Sequence, residues 1–387
     1  LFMQRKLRMA MIGGGRGSFI GAVHRIAAAM DGQIELVAGA FSSDPACSLL
    51  TGQDLFLDPD RVYDDYTTLL EKEAALPADK KVDIISIVTP NHLHAAPALL
   101  AFEKGFDVVL EKPMAFSLQE AKLLDQKRKE TGRELLLCHT YTGYPMVKEA
   151  RTRIASGQLG TIRKIYGEYP QGWLHSYLEG SHHKQAEWRT DPARSGAAGA
   201  MGDIGTHIFN LLEYVSGLQV TQLCADINTI VPNRKLDDDG AALLRFNSGA
   251  SGVLMATQVA AGEENKVCFR IYGDKGGLEW HQQDANTLLL KWPDRPAEVV
   301  RTGTPYVSAV AQHNTRVPAG HPEGYLEAFA NLYRNFSLAL RAKASGDAPT
   351  QALLDYPGTA EGIRGMAFIE TMIASSRSTQ KWIDFLV

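Results

Sequence analysis

Leu7-Arg8-Met9-Ala10-Met11-Ile12-Gly13-Gly14-Gly15-Arg16-Gly17-Ser18-Phe19-Ile20-Gly21 passes from an apolar, strand-like run through glycines into a helical pattern. Val23, Ile26, Ala27 and Met30 then recur at helical spacing across Gly21–Met30. A strand, a glycine turn and a helix in that order let the backbone approach a pyrophosphate. The unpaired N–H groups and positive dipole end of the helix face it. The strict G-x-G-x-x-G spacing is broken. Counted from Gly13 and Gly15, the third position falls on Ser18, and the next glycine is Gly21. The turn is thus about three residues longer than usual. A merely flexible loop is the competing reading; its place after the first strand and before a helix favours dinucleotide binding. Gly13, Gly15, Arg16 and Gly21 are the candidate cofactor residues here.

Outward from this stretch, strand-like Ile34–Ala40, Val82–Val88, Phe106–Leu110 and Glu134–His139 alternate with helical Tyr66–Ala75, His94–Lys104 and Ser117–Thr131. Val82–Val88 is nearly continuous in apolar residues, as in a parallel strand covered on both faces. The alternation predicts a doubly wound α/β Rossmann domain over 1–140. After about residue 145 the pattern changes. Helices are expected at Met146–Ser156 and Gly205–Ser216, with strands at Ile162–Tyr169, Val220–Ile230, Ala241–Phe246, Val253–Val259, Val267–Tyr272, Leu278–His281 and Thr287–Trp292. Asn247-Ser248-Gly249 and Gly273–Gly277 read as turns between neighbouring strands. Residues 141–387 are therefore expected to form an α+β substrate-binding and oligomerisation domain on a mostly antiparallel sheet. Its late helices are Gly324–Lys343 and Pro357–Ser375, and the C-terminal helix is placed to pack back on the first domain.

The chain has 387 residues, enough for two domains, and 45% apolar with 22% charged residues is globular usage. A formal net charge of −4 gives no general pull towards nucleic acid or an anionic membrane. Cys47, Cys138, Cys224 and Cys268 are scattered without a CxxC pair, against a zinc ribbon or disulfide framework. No apolar run reaches the roughly 18 residues of a membrane span. The basic N-terminal residues lead straight into a strand with no signal-peptide core, so a cytoplasmic protein is expected.

Four further segments carry chemistry. The second strand ends Ala38-Gly39-Ala40-Phe41-Ser42-Ser43, with Asp44 beyond. Ser42 neither repels a ribose 2′-phosphate nor clamps a diol as a carboxylate would. Arg16 is the nearest cation, so NAD and NADP both stay open. Thr89-Pro90-Asn91-His92-Leu93-His94 follows a buried strand, where the ligand crevice of such sheets lies. Asn91 can bond a cofactor ribose or carboxamide. The His-x-His pair reads as turn chemistry over a metal site, and no metal is expected.

Glu111-Lys112-Pro113 ends the next strand. A surface salt pair is one reading; an ammonium beside a substrate hydroxyl, stabilising a developing alkoxide, is the other. Pro113 keeps the Lys112 backbone extended. In Gly202-Asp203-Ile204-Gly205-Thr206-His207, Asp203 and His207 are four apart and share a helix face. An N-cap aspartate and a core histidine are the plain alternatives. Trp173, and then Lys184, Trp188 and Arg189, mix indoles with charges in a way that suits a carbohydrate, or an anionic substituent on one. The alternative is tryptophans filling an interface. Asp237-Asp238-Asp239 reads as a solvated turn.

Together these segments resemble the Gfo/Idh/MocA oxidoreductase family over nearly the whole chain. Thr89–His94, Glu111–Pro113 and Gly202–His207 carry the resemblance, and Gly320-His321-Pro322-Glu323-Gly324-Tyr325 is similar to one branch. The resemblance implies a Rossmann domain followed by a domain with a large open sheet, through which dimers or tetramers commonly form. It implies hydride transfer between NAD or NADP and a secondary hydroxyl of a sugar, inositol or glycoside. Lys112, Asp203 and His207 take the catalytic positions. His207 would accept the hydroxyl proton, Lys112 would steady the alkoxide, and Asp203 would orient His207 or a hydroxyl.

The cofactor side would be Gly13, Gly15, Asn91 and Glu111, with Thr89, Pro90 and His94 beside them. The substrate side would be Tyr141, Trp173, Lys184, Trp188 and Arg189, with Asp203 and His207. The family's frequent Tyr-Arg-x-x-Pro appears as Tyr141-Thr142-Gly143-Tyr144-Pro145, without the arginine. Two rival functions share the fold: a redox-neutral NAD-dependent glycosidase acting through a keto-sugar, and a non-catalytic nucleotide-sensing regulator.

Overall fold

The computed structural model describes residues 5–181 and 183–387, at 184 through the backbone alone. The chain divides into two compact units: residues up to Thr140 together with Leu326–Gly362, and Tyr141–Tyr325 together with Ile363–Val387.

The first unit runs β1 (Leu7–Gly13), α1 (Phe19–Met30), β2 (Ile34–Ala40), α2 (Pro45–Asp54), α3 (Tyr66–Ala75), β3 (Ile84–Val88), α4 (Ala95–Glu103), β4 (Asp107–Leu110), α5 (Leu118–Thr131) and β5 (Leu135–Leu137). Among the described residues these five strands form one parallel sheet, in the order β2-β1-β3-β4-β5. All residues of β3 are buried, as its apolar run predicts. The strand order reverses beside β1, and ligands of such sheets bind at the carboxyl ends of the strands there. Register brings the relevant ends together. Gly13 pairs with Val88, Ile87 pairs with Leu110, and the Glu111 N–H donates to Ile87 O at 3.1 Å.

The helix α2 has no counterpart in the sequence reading. Asp44 caps it by accepting from the Ala46 N–H, while Leu49 and Leu50 stay exposed, so no apolar stripe announces it. A second difference lies at the boundary. Residues 141–387 are not one block, because Leu326–Gly362 packs with the first unit. The helix Tyr325–Ala344 buries Phe329, Tyr333 and Phe336, and Arg341 donates to Arg5 O at 2.8 Å. Leu137 of β5 donates to Pro357 O at 2.8 Å, which gives that edge strand a partner. The joining helix is thus the penultimate one; the last, Thr359–Arg377, lies mostly in the second unit.

The second unit runs α6 (Pro145–Ala155), β6 (Ile162–Pro170), α7 (Lys184–Arg189), α8 (Pro192–Ser195), α9 (Thr206–Ser216), β7 (Val220–Asn228), β8 (Asp239–Phe246), β9 (Ser251–Thr257), β10 (Cys268–Gly273), β11 (Gly277–His281), β12 (Thr287–Lys291), β13 (Glu298–Arg301), α10 (Ala309–His313) and β14 (Ile383–Asp384). Among the described residues nine strands form one sheet, β13-β12-β11-β10-β6-β9-β8-β7-β14. Its neighbours are antiparallel except β6 and β9. Burial alternates along β8, so one face of the sheet carries the core. The apolar face of α9 (Ile208, Leu211, Leu212, Val215) is buried in this unit. The Asn247–Gly249 turn joins β8 to β9, with Gly249 at φ +87, and Gly273–Gly277 joins β10 to β11. The short edge strands β13 and β14 are too brief to show a period. No helix among the described residues is long and apolar enough to cross a membrane.

Asp107, which opens β4, gives a stability prediction. Burial pushes its carboxyl up from 3.8 to about 6, opposed by the Glu134 N–H bond and the Arg133 charge. A carboxyl weaker in the folded chain stabilises fully below its unfolded pKa, and that contribution is lost as pH rises through about 6. Asp107→Asn keeps an oxygen for the Glu134 N–H, now accepted at 2.8 Å. Urea unfolding should show the variant about 3 kcal/mol more stable than wild type at neutral pH, and equal to it in acid below the unfolded pKa. A difference independent of pH would contradict this.

Candidate active site

In the first unit the glycine loop is a packed turn, not a flexible one. Gly13, Gly14 and Gly17 stand at φ +82, +74 and +75. A Cβ at Gly21 would lie 2.4 Å from Gly14 O, so Gly21 provides the close helix–strand approach despite its late position. A Cβ at Gly15 would lie 2.8 Å from Phe41 O, and the Gly15 N–H bonds that oxygen at 3.0 Å. Ser18 caps α1. This bare backbone cradle, leading into a helix N-terminus, fits a dinucleotide pyrophosphate.

Arg16 is not an isolated cation. Its guanidinium forms a two-point pair with Asp54, Nε to Oδ2 at 2.6 Å and Nη2 to Oδ1 at 2.8 Å. Half-buried Ser42 accepts the Asp44 N–H at 3.1 Å, and Asp44 itself caps α2, so its carboxylate does not serve the tip of β2.

Thr89 and Pro90 are half-buried and Asn91 is buried, in the turn after β3. His94 departs from the expected cofactor role. Its ring is fully buried, with Nδ1 2.7 Å from Pro113 O and Nε2 2.9 Å from Thr89 O. Burial lowers its pKa. The ring staples this turn to the Glu111–Pro113 segment and is not offered to a ligand. His92 is exposed, so the two histidines do not converge.

Glu111 turns its carboxylate inward, Oε1 2.8 Å from His24 Nε2 and Oε2 accepting the Lys112 N–H at 3.1 Å. Burial alone would raise its pKa, but the His24 bond, with the charges around it, brings it below the usual range. Lys112 is half-buried. His139, at the end of β5, is absent from the sequence reading. Burial, then the Lys112 charge, pushes it down to about 3, so a neutral imidazole stands near the ammonium. His24, Glu111 and Cys138 bring donor atoms within 4.8 Å of one another. Both His24 nitrogens, however, are engaged by Glu111 and Tyr333, and burial pushes the Cys138 thiol up.

In the second unit a π-helical turn, Met201–Gly205, carries Asp203 into α9, where the sequence reading has a plain helix. Asp203 Oδ1 is paired with Arg189 Nη1, and Oδ2 accepts Gln258 Nε2 at 2.9 Å. Arg189 also lies over the Trp188 ring at 4.6 Å. Gln258 leads to Gln171 Oε1 at 3.3 Å; Gln171 leads to Asn265 Oδ1 at 2.7 Å; Asn265 Nδ2 donates to the Tyr141 hydroxyl at 3.0 Å. The Tyr141 and Tyr169 hydroxyls meet at 2.5 Å, and burial raises both phenol pKa values. Trp173 donates to Gln171 Oε1 at 3.2 Å. His207 is buried, edge-on to Tyr141 with ring centres 5.0 Å apart.

Thus Tyr141, Trp173, Arg189, Asp203 and His207 of the sequence reading do come together, with Trp188 behind Arg189. The side chain of Lys184 lies outside the described residues. Tyr169, Gln171, Gln258 and Asn265 join them. Lone amides at strand ends carry no spacing signal; only the Tyr169–Trp173 stretch stands out in the sequence.

The acidic run is not a solvated turn. Asp237 Oδ1 accepts the Gly199 N–H at 2.6 Å and Oδ2 the Met201 N–H at 2.8 Å, pinning the entrance to the π turn. Asp238 is fully buried, accepting from Ile230 and Val231 N–H at 2.8 and 3.0 Å and from Arg234 Nη1 at 3.0 Å. Burying these charges is tolerable because backbone donors and a guanidinium replace water.

Residues 7–139 match the model of an oxidoreductase family with an NAD-binding Rossmann fold, and residues 147–279 match the GFO/IDH/MocA C-terminal domain. The chain therefore belongs to the Gfo/Idh/MocA family and is an NAD(P)-dependent oxidoreductase. The uncharacterised oxidoreductase YfiI of Bacillus subtilis (strain 168) is 31% identical, over 99% of this chain and 98% of its own length. The crystal structure of an inositol dehydrogenase homolog from Azotobacter vinelandii complexed with NAD+ superposes with a TM-score of 0.94 at 35% identity, covering 99% and 98% of the two chains. The same homolog complexed with NADH and myo-inositol gives 0.91 at 34% identity, with the same coverage.

The buried acidic clamp is testable. Asp238→Ala leaves the Ile230 and Val231 N–H groups without their acceptor and removes one partner of Arg234, which keeps Glu179 and the Leu174 and Ser176 carbonyls. Urea unfolding should therefore show a loss of about 2–4 kcal/mol. A loss below about 0.5 kcal/mol, normal for a surface position, would contradict the clamp.

Proposed function

We propose that this chain is an NAD-dependent dehydrogenase of a secondary hydroxyl on an uncharged cyclic polyol or sugar, with inositols the first candidates. One observation carries the substrate class. Arg189, of the two cations expected to read an anionic substituent the one whose side chain is described, is already paired with Asp203. The groups around that pair, Tyr141, Tyr169, Gln171, Gln258, Asn265 and Trp173, are neutral donors and acceptors and an aromatic face. Such groups suit hydroxyls and C–H faces. The myo-inositol bound to the Azotobacter vinelandii homolog supports the same class. NAD is favoured over NADP because a 2′-phosphate would have to compete with Asp54 for Arg16.

The bound nicotinamide supplies the hydride acceptor. His207 takes the hydroxyl proton as the C–H bond breaks, and Lys112 stabilises the oxygen as it gains charge. Asp203, held at both oxygens by Arg189 and Gln258, orients His207 or a neighbouring hydroxyl. The neutral His139 leaves the charge beside Lys112 undiluted by a second cation. A cytoplasmic setting, supported by four free thiols, and a homo-dimer or homo-tetramer, supported by the exposed Leu243 on β8, belong to this reading.

Nicotinamide reduction, followed by absorbance across inositols, neutral aldoses, uronic acids and glycosides, tests it. Neutral polyols should be oxidised in preference to acidic sugars. Lys112→Ala and His207→Ala should each cut turnover at least about a hundredfold. Near-normal rates in both variants, or a preference for acidic sugars, would overturn the reading. Glycoside cleavage without net NADH would point to the redox-neutral route instead.

A further inference from the structure

Beneath the end of β4 runs a chain of hydrogen bonds with no part in the chemistry above. His24 of α1 is fully buried, as are Ser86 of β3 and Tyr333 of the Tyr325–Ala344 helix. His24 Nε2 lies 2.8 Å from Glu111 Oε1, and Nδ1 lies 2.6 Å from the Tyr333 hydroxyl. Ser86 Oγ lies 3.4 Å from that same Nδ1 and 3.2 Å from the Tyr333 oxygen. Phe329 meets the imidazole at a 4.6 Å centroid distance and Tyr333 at 5.8 Å, both edge-on. Burial raises the Tyr333 phenol pKa well up, so the hydroxyl stays a donor.

For a neutral imidazole, one arrangement of protons satisfies the whole chain. An ionised carboxylate is acceptor-only. Glu111 Oε2 takes the Lys112 N–H, so Oε1 needs a second donor, which is His24 Nε2–H. Nδ1 is then bare and accepts the Tyr333 O–H, while the Tyr333 oxygen accepts from Ser86. The opposite tautomer would set a lone pair against the carboxylate. Which ring nitrogen carries the proton is fixed by the bond the other one makes.

We infer that Tyr333, Ser86 and His24 are positioning residues: they lock the His24 Nε2–H tautomer, which fixes Glu111 and, through its second oxygen, the backbone of Lys112. This rests on the catalytic role proposed for Lys112. Plain core filling would need a ring here but no particular proton.

Two measurements on the full chain test it. With 15N-labelled histidine, NMR reads the tautomer without any substrate, the His24→Gln variant assigning the signal. Steady-state rates with NAD+ and myo-inositol read the consequence. His24 should show a protonated Nε2 and a bare Nδ1. Tyr333→Phe or Ser86→Ala alone should lower kcat about threefold or less, because one hydroxyl still donates to Nδ1. The double variant should lower kcat about tenfold or more, with the KM for myo-inositol nearly unchanged. Glu111→Gln should behave like the double variant, since an amide cannot accept from both donors. A Nδ1–H or doubly protonated ring, or a double variant with wild-type kcat, overturns the inference. If the wild type oxidises no polyol, the functional reading fails by itself, and the tautomer signal still decides this one.

Discussion

Glu111 is largely buried, yet the His24 bond and the charges around it hold its carboxyl below the usual range, while its second oxygen accepts the Lys112 N–H. The rest of the structure depends on that kind of exchange. Asp237 holds the approach to the π turn in the same way, and Asp238 holds the loop at Ile230–Arg234. Glu323 accepts the Arg316 and Val317 N–H groups at 2.5 and 2.9 Å, and Glu73 takes Arg61, Tyr63 and the Val82 N–H. Each buried carboxylate satisfies loop donors that the sheets cannot reach. Loops held at such hubs can carry functional groups with little reorganisation, the condition under which fixed charges and dipoles act strongly on a developing charge.

The two units apply this device to different tasks. In the first, the parallel register sets the ends of β1, β3 and β4 side by side, so the glycine loop, the Thr89–His94 turn and Lys112 share one edge. His94 then ties the second of these segments to the third, its Nδ1 2.7 Å from Pro113 O. In the second unit an unbroken series of amides and phenols runs from Tyr141 to Asp203, and Arg189 closes it with a charged pair. Amides and phenols match hydroxyls as both donors and acceptors, which is the basis of the polyol reading proposed above.

Much of this architecture is legible in the amino-acid sequence. The buried run of β3 and the strand–glycine–helix opening define the parallel sheet from local pattern alone, and Glu111–Pro113 and Gly202–His207 carry their chemistry in contiguous residues. What escapes the sequence is non-local. Tyr333 meets His24 across 309 positions, and the Leu326–Gly362 segment joins the first unit through contacts that periodicity does not encode. The triple aspartate misleads because charge runs are normally solvated; only the donors supplied by Gly199, Met201, Ile230, Val231 and Arg234 make its burial tolerable. Gly21 misleads in the other direction: its spacing is wrong for the motif, yet its missing Cβ does the motif's packing.

The proposed reaction moves hydrogen directly from a ring carbon of an uncharged polyol to a bound nicotinamide. The most direct measurement incubates the protein with NAD+ and myo-inositol deuterated on its ring carbons, and reads the reduced cofactor by NMR. The expected result is one deuteron at nicotinamide C4 for each NADH formed. Two protium atoms and no deuteron at that carbon, or no reduced cofactor from this or any other neutral polyol, would contradict it.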